Sequence, residues 1–165
     1  MRLPAQHDAR RVNSPSCATP NPKDSVGQTD TVVWFWGMAR QSLIAVVDDE
    51  APVRTMLGRL LRLDGYEVVS FGCGEEFIAS LAGRKPDCVL LDIHLPNLSG
   101  FDVQARLQAM GAGIPVIFIT ASDDPALSKK VEEAKGVKLL RKPFSSRELS
   151  GAVHALLPAH PRDMS

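Results

Sequence analysis

The sequence predicts an α/β domain built on a five-stranded parallel sheet with helices on both faces. Three observations support this fold class. Short apolar segments that favour strands alternate with amphipathic segments of helical period, from residue 43 to residue 156. The strand segments are almost continuously apolar, which is typical of strands buried on both faces. Acidic, hydroxyl or basic side chains follow these strands, so polar groups collect at their C-terminal ends.

Five strand segments are predicted, at residues 43–47, 66–70, 87–92, 114–119 and 137–140. Pro115 fits this scheme because it stands at the start of its strand, where a missing N–H is tolerated. Right-handed connections between parallel strands favour the order 2-1-3-4-5, which changes direction between strands 1 and 3. The C-terminal ends of those two strands carry Asp48-Asp49 and Asp92.

The predicted helices have clear start and stop signals. Pro52 lies in the first turn of the first helix, and Gly65 follows its end in the position that favours a left-handed cap. Asp124-Pro125 begins the fourth helix, and a capping box of Ser145 and Glu148 begins the fifth. Helical spacing predicts these inward-facing residues: Val53, Met56, Leu57, Leu60, Leu61, Phe77, Ile78, Leu81, Val103, Leu107, Met110, Leu127, Val131, Ala134, Leu149, Val153 and Leu156. The fourth helix has few of them, so we expect its anchoring to be weak.

Composition excludes several function classes. The chain has 165 residues with 19 basic and 19 acidic side chains, so no net charge attracts it to nucleic acid or to a membrane. The apolar stretch at residues 31–39 is about half as long as a membrane-spanning helix. Cys17, Cys73 and Cys88 fit neither a disulfide framework nor a CxxC site, which predicts reduced thiols and a cytoplasmic protein.

Three regions are predicted along the chain. Residues 1–41 form a disordered extension, because four prolines stand there among polar residues without helical or strand period. The aromatic cluster Trp34-Phe35-Trp36 lies in this extension, and a start at Met38 is an equally good interpretation of the sequence. Residues 42–157 form the domain, and residues 158–165 form a short tail.

Polar residues from four strand ends are expected to meet at one edge of the sheet. Asp48-Asp49 and Asp92 would bring three carboxylates together there, and these would repel one another. A divalent cation with oxygen ligands, Mg²⁺ above all, would relieve this repulsion. Strand 4 adds the hydroxyl of Thr120, and the turn after strand 5 adds the ammonium of Lys142. These are the groups that a carboxylate needs in order to accept a phosphoryl group.

The same residues resemble the receiver domain of response regulators in two-component signalling. The resemblance covers about residues 42–157 and rests on four short motifs. They are Asp48-Asp49, Leu90-Leu91-Asp92-Ile93-His94-Leu95-Pro96-Asn97-Leu98-Ser99-Gly100, Thr120-Ala121 and Lys142-Pro143-Phe144. The resemblance implies a flavodoxin-like sheet, a histidine kinase or phosphotransfer protein as phosphodonor, and a signalling switch rather than an enzyme.

The resemblance also implies a role for each acidic residue. Asp92 would be the phosphoacceptor. Mg²⁺ would be bound by Asp49, by Asp92 and by the backbone carbonyl of His94, with Asp48 assisting. Each acid alone would be read as an ordinary helix cap or loop residue. The prediction depends on their joint occurrence at one edge of the sheet.

Further positions concern the response to phosphorylation. By resemblance, Thr120, Ala121 and Lys142 contact the phosphoryl group, and the peptide bond before Pro143 is cis. One position departs from the family pattern, because Leu139 stands where many receivers have Tyr or Phe. In those receivers the aromatic ring turns inward when the threonine shifts toward the phosphoryl group. Either Leu139 repacks in a smaller version of this movement, or the signal runs through the loop and helix after Thr120.

We therefore expect a stand-alone receiver that switches partner binding through the face formed by helix 4, strand 5 and helix 5. Homodimerisation on phosphorylation is a further expectation, and no contact with nucleic acid or membrane is expected. Two alternatives stay open. One is a pseudo-receiver that binds partners without phosphorylation, which Leu139 alone favours. The other is a phosphatase of the haloacid dehalogenase kind, whose Asp-x-Asp motif and cap domain are missing from this sequence.

Overall fold

The computed structural model describes residues 40–133 and 137–157. Residues 1–39 of the predicted extension, the Met38 start, Cys17, the Trp34-Phe35-Trp36 cluster and the predicted tail lie outside the described residues. The domain boundaries at residues 42 and 157 stay predictions. No helix in the described ranges has the length and apolar character needed to cross a membrane.

In the described part of the chain, five parallel strands form one sheet in the order β2-β1-β3-β4-β5, which confirms the predicted fold class. The strands are β1 (Leu43–Val47), β2 (Glu67–Phe71), β3 (Cys88–Asp92), β4 (Val116–Thr120) and β5 (Val137–Arg141). The helices are α1 (Ala51–Leu63), α2 (Gly74–Ser80), α3 (Gly100–Ala109), α4 (Pro125–Glu132) and α5 (Ser146–Leu156). β2 lies on one side of β1 and β3 on the other, so the order of the strands reverses between β1 and β3, where Val46 lies opposite Leu90.

The sheet separates two apolar layers, because successive side chains of a strand point to opposite faces. β1, β3 and β4 are buried along their whole length. Val46 packs in the layer that contains Leu57 of α1 and Leu149 of α5. Val47 packs in the opposite layer with Phe77 of α2 and Val131 of α4. Burial on both faces holds the C-terminal ends of these central strands rigidly in place.

The prediction that Met56 and Met110 face inward is wrong. Met56 is 47% exposed and Met110 is 54% exposed. On α1, Leu57 and Leu61 fill the contact with the sheet, so Met56 lies at the margin of the apolar stripe. Met110 follows the last helical residue of α3 and caps the helix. Ala134 lies outside the described residues.

Side-chain caps begin three of the helices, as the hydrogen bonds in the described ranges show. The predicted box at α5 is confirmed: Glu148 N donates to Ser145 Oγ at 3.2 Å, and Ser145 N donates to Glu148 Oε2 at 2.7 Å. The predicted Asp124 cap of α4 is also confirmed. A second capping box, Ser99 with Asp102, begins α3 and was missed in the sequence analysis. Its signal was the Ser-x-x-Asp spacing.

Candidate functional site

Three carboxylates meet at the C-terminal edge of the sheet. Asp48 and Asp49 directly follow β1, and Asp92 is the last residue of β3. One oxygen from each of these side chains lies within 4.8 Å of the others. Asp48 and Asp92 are buried, whereas Asp49 is exposed. The structure therefore brings together the acids that the strand ends predicted, with one carboxylate open to solvent.

The ammonium group of Lys142 bridges the two buried acids. Its Nζ lies 3.0 Å from Oδ2 of Asp48 and 3.1 Å from Oδ2 of Asp92. A third carboxylate oxygen, Oε1 of Glu50, is 3.7 Å from the same nitrogen. The side chain of Lys142 begins in the turn after β5 and thus extends across the edge of the sheet to the ends of β1 and β3.

Burial and neighbouring partners have opposite effects on the pKa of Asp48, and likewise on the pKa of Lys142. Burial is the largest influence on Asp48 and raises its pKa above the usual 3.8, although hydrogen bonds from Glu50 N and Lys142 Nζ oppose it. For Lys142, partial burial lowers the pKa, but hydrogen bonds to Asp48 and Asp92 outweigh it, and the pKa is raised above 10.5. Lys142 therefore stays protonated at neutral pH and offsets part of the negative charge.

The carboxylate of Asp92 is held from two sides. Its Oδ1 accepts a hydrogen bond of 2.8 Å from the backbone N–H of His94, and its Oδ2 accepts the bond from Lys142. The side chain of His94 is exposed, so the contact with the site runs through its backbone. The role of the His94 carbonyl as a metal ligand stays a prediction.

Gly100 is a further residue of the site, and the sequence analysis named it only as the last residue of the motif around Asp92. Its N–H donates a 2.9 Å hydrogen bond to the carbonyl oxygen of Ile93. A Cβ at position 100 would lie 2.5 Å from the carbonyl oxygen of Asp92 and 3.0 Å from Cα of Ile93. Only glycine lets α3 begin this close to the backbone of Asp92.

Thr120 ends β4 at the same edge of the sheet. It is buried, and its Oγ1 accepts a hydrogen bond of 3.0 Å from the N–H of Ser122. Its carbonyl oxygen accepts a 2.8 Å bond from the N–H of Lys142, and the Lys142–Pro143 peptide bond is cis, as the family resemblance implies. Within the described ranges the hydroxyl makes no hydrogen bond to the acid cluster. The neighbouring Ala121 is exposed.

Hydrogen bonds continue from Thr120 to the start of α4. Ser122 Oγ accepts a bond of 3.3 Å from the N–H of Asp124, whose side chain accepts a bond of 2.9 Å from the N–H of Ala126. A movement of Thr120 can therefore reach the first turn of α4 through consecutive backbone and side-chain contacts. Leu139 is half-buried against the core layer that α4 covers, and it lies opposite Phe118 in the sheet.

The donor set of the acid cluster suits a hard divalent cation. All three side chains offer carboxylate oxygens, and in the described residues no His or Cys joins the cluster. Two of the acids are buried and close together, so a cation would relieve a repulsion that Lys142 offsets only in part. A small number of protein oxygens with one open side is the arrangement that Mg²⁺ accepts, because it keeps several of its waters.

Comparison with known families assigns the chain to one of them. The family model described as response regulator receiver domain matches residues 44–154. The chain therefore belongs to the receiver domain family of two-component response regulators, a class of signalling switches. This membership overturns the haloacid dehalogenase alternative.

Curated relatives agree with this assignment. The chain is 35% identical to response regulator protein TodT of Pseudomonas putida over 126 residues, which is 76% of this chain and 56% of TodT. It is 37% identical to nodulation protein W of Bradyrhizobium diazoefficiens over 115 residues, which is 70% of this chain and 51% of that protein. The chain thus spans about half the length of the curated relatives it matches, and stand-alone action stays a prediction.

Solved structures show the same fold. A response regulator receiver domain protein from Clostridium thermocellum superimposes with a TM-score of 0.64 at 27% identity, covering 70% of this chain and 93% of that chain. Chemotaxis protein CheY4 of Vibrio cholerae has a TM-score of 0.64 at 24% identity, covering 71% of this chain and 99% of that one. At the lower identity the similarity concerns the fold alone.

Proposed function

We propose that this domain is a phosphorylation-driven switch in which Asp92 accepts a phosphoryl group from a histidine kinase or a phosphotransfer protein. The observation that carries the proposal is the support of the Asp92 carboxylate. It stands at the end of a buried strand, between the backbone N–H of His94 at 2.8 Å and the ammonium of Lys142 at 3.1 Å. These two donors orient the carboxylate and compensate charge beside it.

In the transfer step, a carboxylate oxygen of Asp92 attacks the phosphorus of a phosphohistidine donor. A phosphorus–oxygen bond forms as the phosphorus–nitrogen bond breaks, and the electron pair of the broken bond stays on the imidazole nitrogen. The product carries close to two negative charges on the phosphoryl group in place of the single charge of the carboxylate, so position 92 gains about one negative charge. Lys142, already within 3.1 Å of Asp92, is then available to the phosphoryl oxygens.

We further propose that the acid cluster binds Mg²⁺ through Asp49, Asp92 and the backbone carbonyl of His94, with Asp48 assisting. Bound Mg²⁺ would neutralise charge on the phosphoryl oxygens. Asp49 supplies the exposed carboxylate at the mouth of the site. Asp48 is buried and assists by holding the ammonium of Lys142, whose Nζ lies 3.0 Å from Asp48 Oδ2.

The response is proposed to begin at Thr120. Its Oγ1 accepts a bond from Ser122 N–H, so its own hydrogen is available to a phosphoryl oxygen. Ala121, the next residue, is proposed to contribute its backbone N–H. A shift of Thr120 toward the phosphoryl group would pull on the hydrogen bonds that lead to α4.

We infer that a downstream protein binds the face formed by α4, β5 and α5. α4 supports this role because, in the described part of the helix, only Val131 is buried. A lightly packed helix moves at low cost in free energy. Dimerisation through the same face is an outcome that sedimentation of the phosphorylated protein would reveal. The unpaired Cys73 and Cys88 support a cytoplasmic location.

Acetyl phosphate tests the phosphoacceptor. We expect incubation with acetyl phosphate and Mg²⁺ to add one base-labile phosphoryl group, seen as an increment in intact mass. Asp92→Asn should abolish the increment, whereas Asp123→Asn, a matched change of an exposed acid near the same edge, should retain it. A wild-type protein that stays unmodified, yet binds partners, would support the pseudo-receiver alternative instead.

A further inference from the structure

Arg54 lies near the start of α1, and its side chain turns back toward the acid cluster. Its Nη1 donates hydrogen bonds of 2.6 Å to the backbone carbonyl oxygen of Asp48 and 3.0 Å to that of Asp49. Within residues 40–133 and 137–157, no other N–H group outside the regular elements donates to these two oxygens. A single guanidinium nitrogen therefore donates to both carbonyl groups of the turn that follows β1.

The two acids of this turn differ in how their carboxylates are supported. The Asp48 carboxylate is buried and accepts hydrogen bonds from Glu50 N and Lys142 Nζ. The Asp49 carboxylate is exposed, and among the described residues it accepts no hydrogen bond from any side chain. The position of the Asp49 carboxylate thus depends on its backbone, which Arg54 holds.

Arg54 provides this support without occupying a carboxylate. Its guanidinium contacts carbonyl oxygens, and in the described ranges it forms no ion pair with an acid. The same nitrogen also lies near Gly72, where a Cβ would be 3.6 Å from Nη1. Both carboxylate oxygens of Asp49 therefore stay available to a cation.

We propose that Arg54 is a positioning residue for divalent-cation binding: it fixes the Asp48-Asp49 turn so that the Asp49 carboxylate lies in the cluster before the ion arrives. The inference rests on the proposed function, because it takes Mg²⁺ as the cation. Groups that orient metal ligands from outside typically change metal affinity about 10- to 100-fold. We expect a change at the lower end, because Arg54 acts through the backbone.

The test measures the rate of phosphorylation by acetyl phosphate as a function of Mg²⁺ concentration. In Arg54→Gln, the half-saturating Mg²⁺ concentration should rise about 10-fold, while the rate at saturating Mg²⁺ stays within about twofold of wild type. Calorimetric titration with Mg²⁺ should show the same loss of affinity without any phosphodonor. A merely structural role would lower the saturating rate and leave the half-saturating concentration unchanged.

Arg59→Gln is the matched control, because Arg59 is an exposed arginine of the same helix whose side chain makes no hydrogen bond to the described residues. It should leave both parameters unchanged. If Arg54→Gln does not fold, Arg54→Met carries the same test with the aliphatic stem retained. Wild-type affinity in a folded Arg54 variant overturns this inference alone. A wild-type protein that neither binds Mg²⁺ nor needs it for phosphorylation overturns the proposed metal site as well.

Discussion

The guanidinium of Arg141 donates a hydrogen bond of 2.5 Å to the hydroxyl of Ser128 and thereby ties the end of β5 to α4. A longer ion pair of 3.4 Å joins the same guanidinium to Asp123, in the loop before α4. Arg141 directly precedes Lys142, which contacts the acid cluster. β5 therefore connects the site to α4 independently of the side chain at position 139.

Removing this connection should loosen α4 without unfolding the domain. We expect Arg141→Ala to speed hydrogen exchange of the α4 amides about 2- to 10-fold, because one hydrogen bond contributes about 0.5–1.5 kcal/mol. Arg84→Ala, which breaks the Arg84–Glu67 pair at the other side of the sheet, should leave α4 exchange unchanged. Equal effects from both variants would contradict a specific connection.

The hydroxyl of Thr120 should control the response of α4 to phosphorylation. In Thr120→Val, the change in α4 hydrogen exchange on phosphorylation should fall at least about threefold, because one hydrogen bond to the phosphoryl group is missing. Thr120→Ser keeps the hydroxyl and should keep the response. Leu139→Ala should keep it too. Loss of the response in Leu139→Ala, with phosphorylation intact, would show that repacking at Leu139 transmits the signal.

Mg²⁺ should stabilise the folded domain by relieving repulsion among the carboxylates. At a free concentration 100 times the dissociation constant, the gain in the free energy of unfolding would be about 2.7 kcal/mol. Asp49→Asn should remove most of this gain and leave the metal-free protein folded, because Asp49 is exposed. Thermal melts with and without Mg²⁺ measure both quantities. An equal gain in wild type and Asp49→Asn would exclude Asp49 as a ligand.

Gly100→Ala should lower the free energy of unfolding by about 1–3 kcal/mol, because the added Cβ would lie 2.5 Å from the Asp92 carbonyl oxygen. Phosphorylation at Asp92 should slow as its backbone shifts. Gly151→Ala, on α5 where a Cβ meets nothing within 4 Å, is the matched control and should stabilise by about 0.4–1 kcal/mol. Denaturant unfolding compares the two, and a neutral Gly100→Ala would contradict the steric argument.

The cap of α5 should weaken in acid. Hydrogen bonds from the N–H and hydroxyl of Ser145 lower the pKa of Glu148 below its usual 4.5. A carboxyl with a lowered pKa in the folded state stabilises the fold above its unfolded pKa, and this stability is lost as pH falls through the folded value. Glu148→Ala should therefore lower the melting temperature at pH 7.

The difference between wild type and Glu148→Ala should shrink as the pH falls below 4.5, the usual pKa of the group. Glu76→Ala is a suitable control, because Glu76 lies in the first turn of α2, which has no side-chain cap among the described residues. A pH-independent difference at position 148 would mean that the charge of Glu148 contributes nothing to the cap.

The amino-acid sequence by itself determined the fold class and the membership of the acid cluster. Periodicity marks strands and helices because burial on one or two faces dictates where apolar residues stand. Right-handed connections then bring the ends of β1 and β3 together, and with them Asp48, Asp49 and Asp92. None of these steps needs the position of an individual side chain.

Only the tertiary structure decided which side chains hold the site in place. Three contacts join neighbouring elements at the edge of the sheet. They are the hydrogen bonds from Arg54 to the Asp48-Asp49 turn, the hydrogen bond from Arg141 to Ser128, and the close approach of Gly100 to Asp92. Long polar side chains can adopt many rotamers and bind many partners, so spacing in the sequence does not determine which of these contacts forms. Packing of the helices on the sheet selects it, and the same packing leaves Met56 and Met110 exposed.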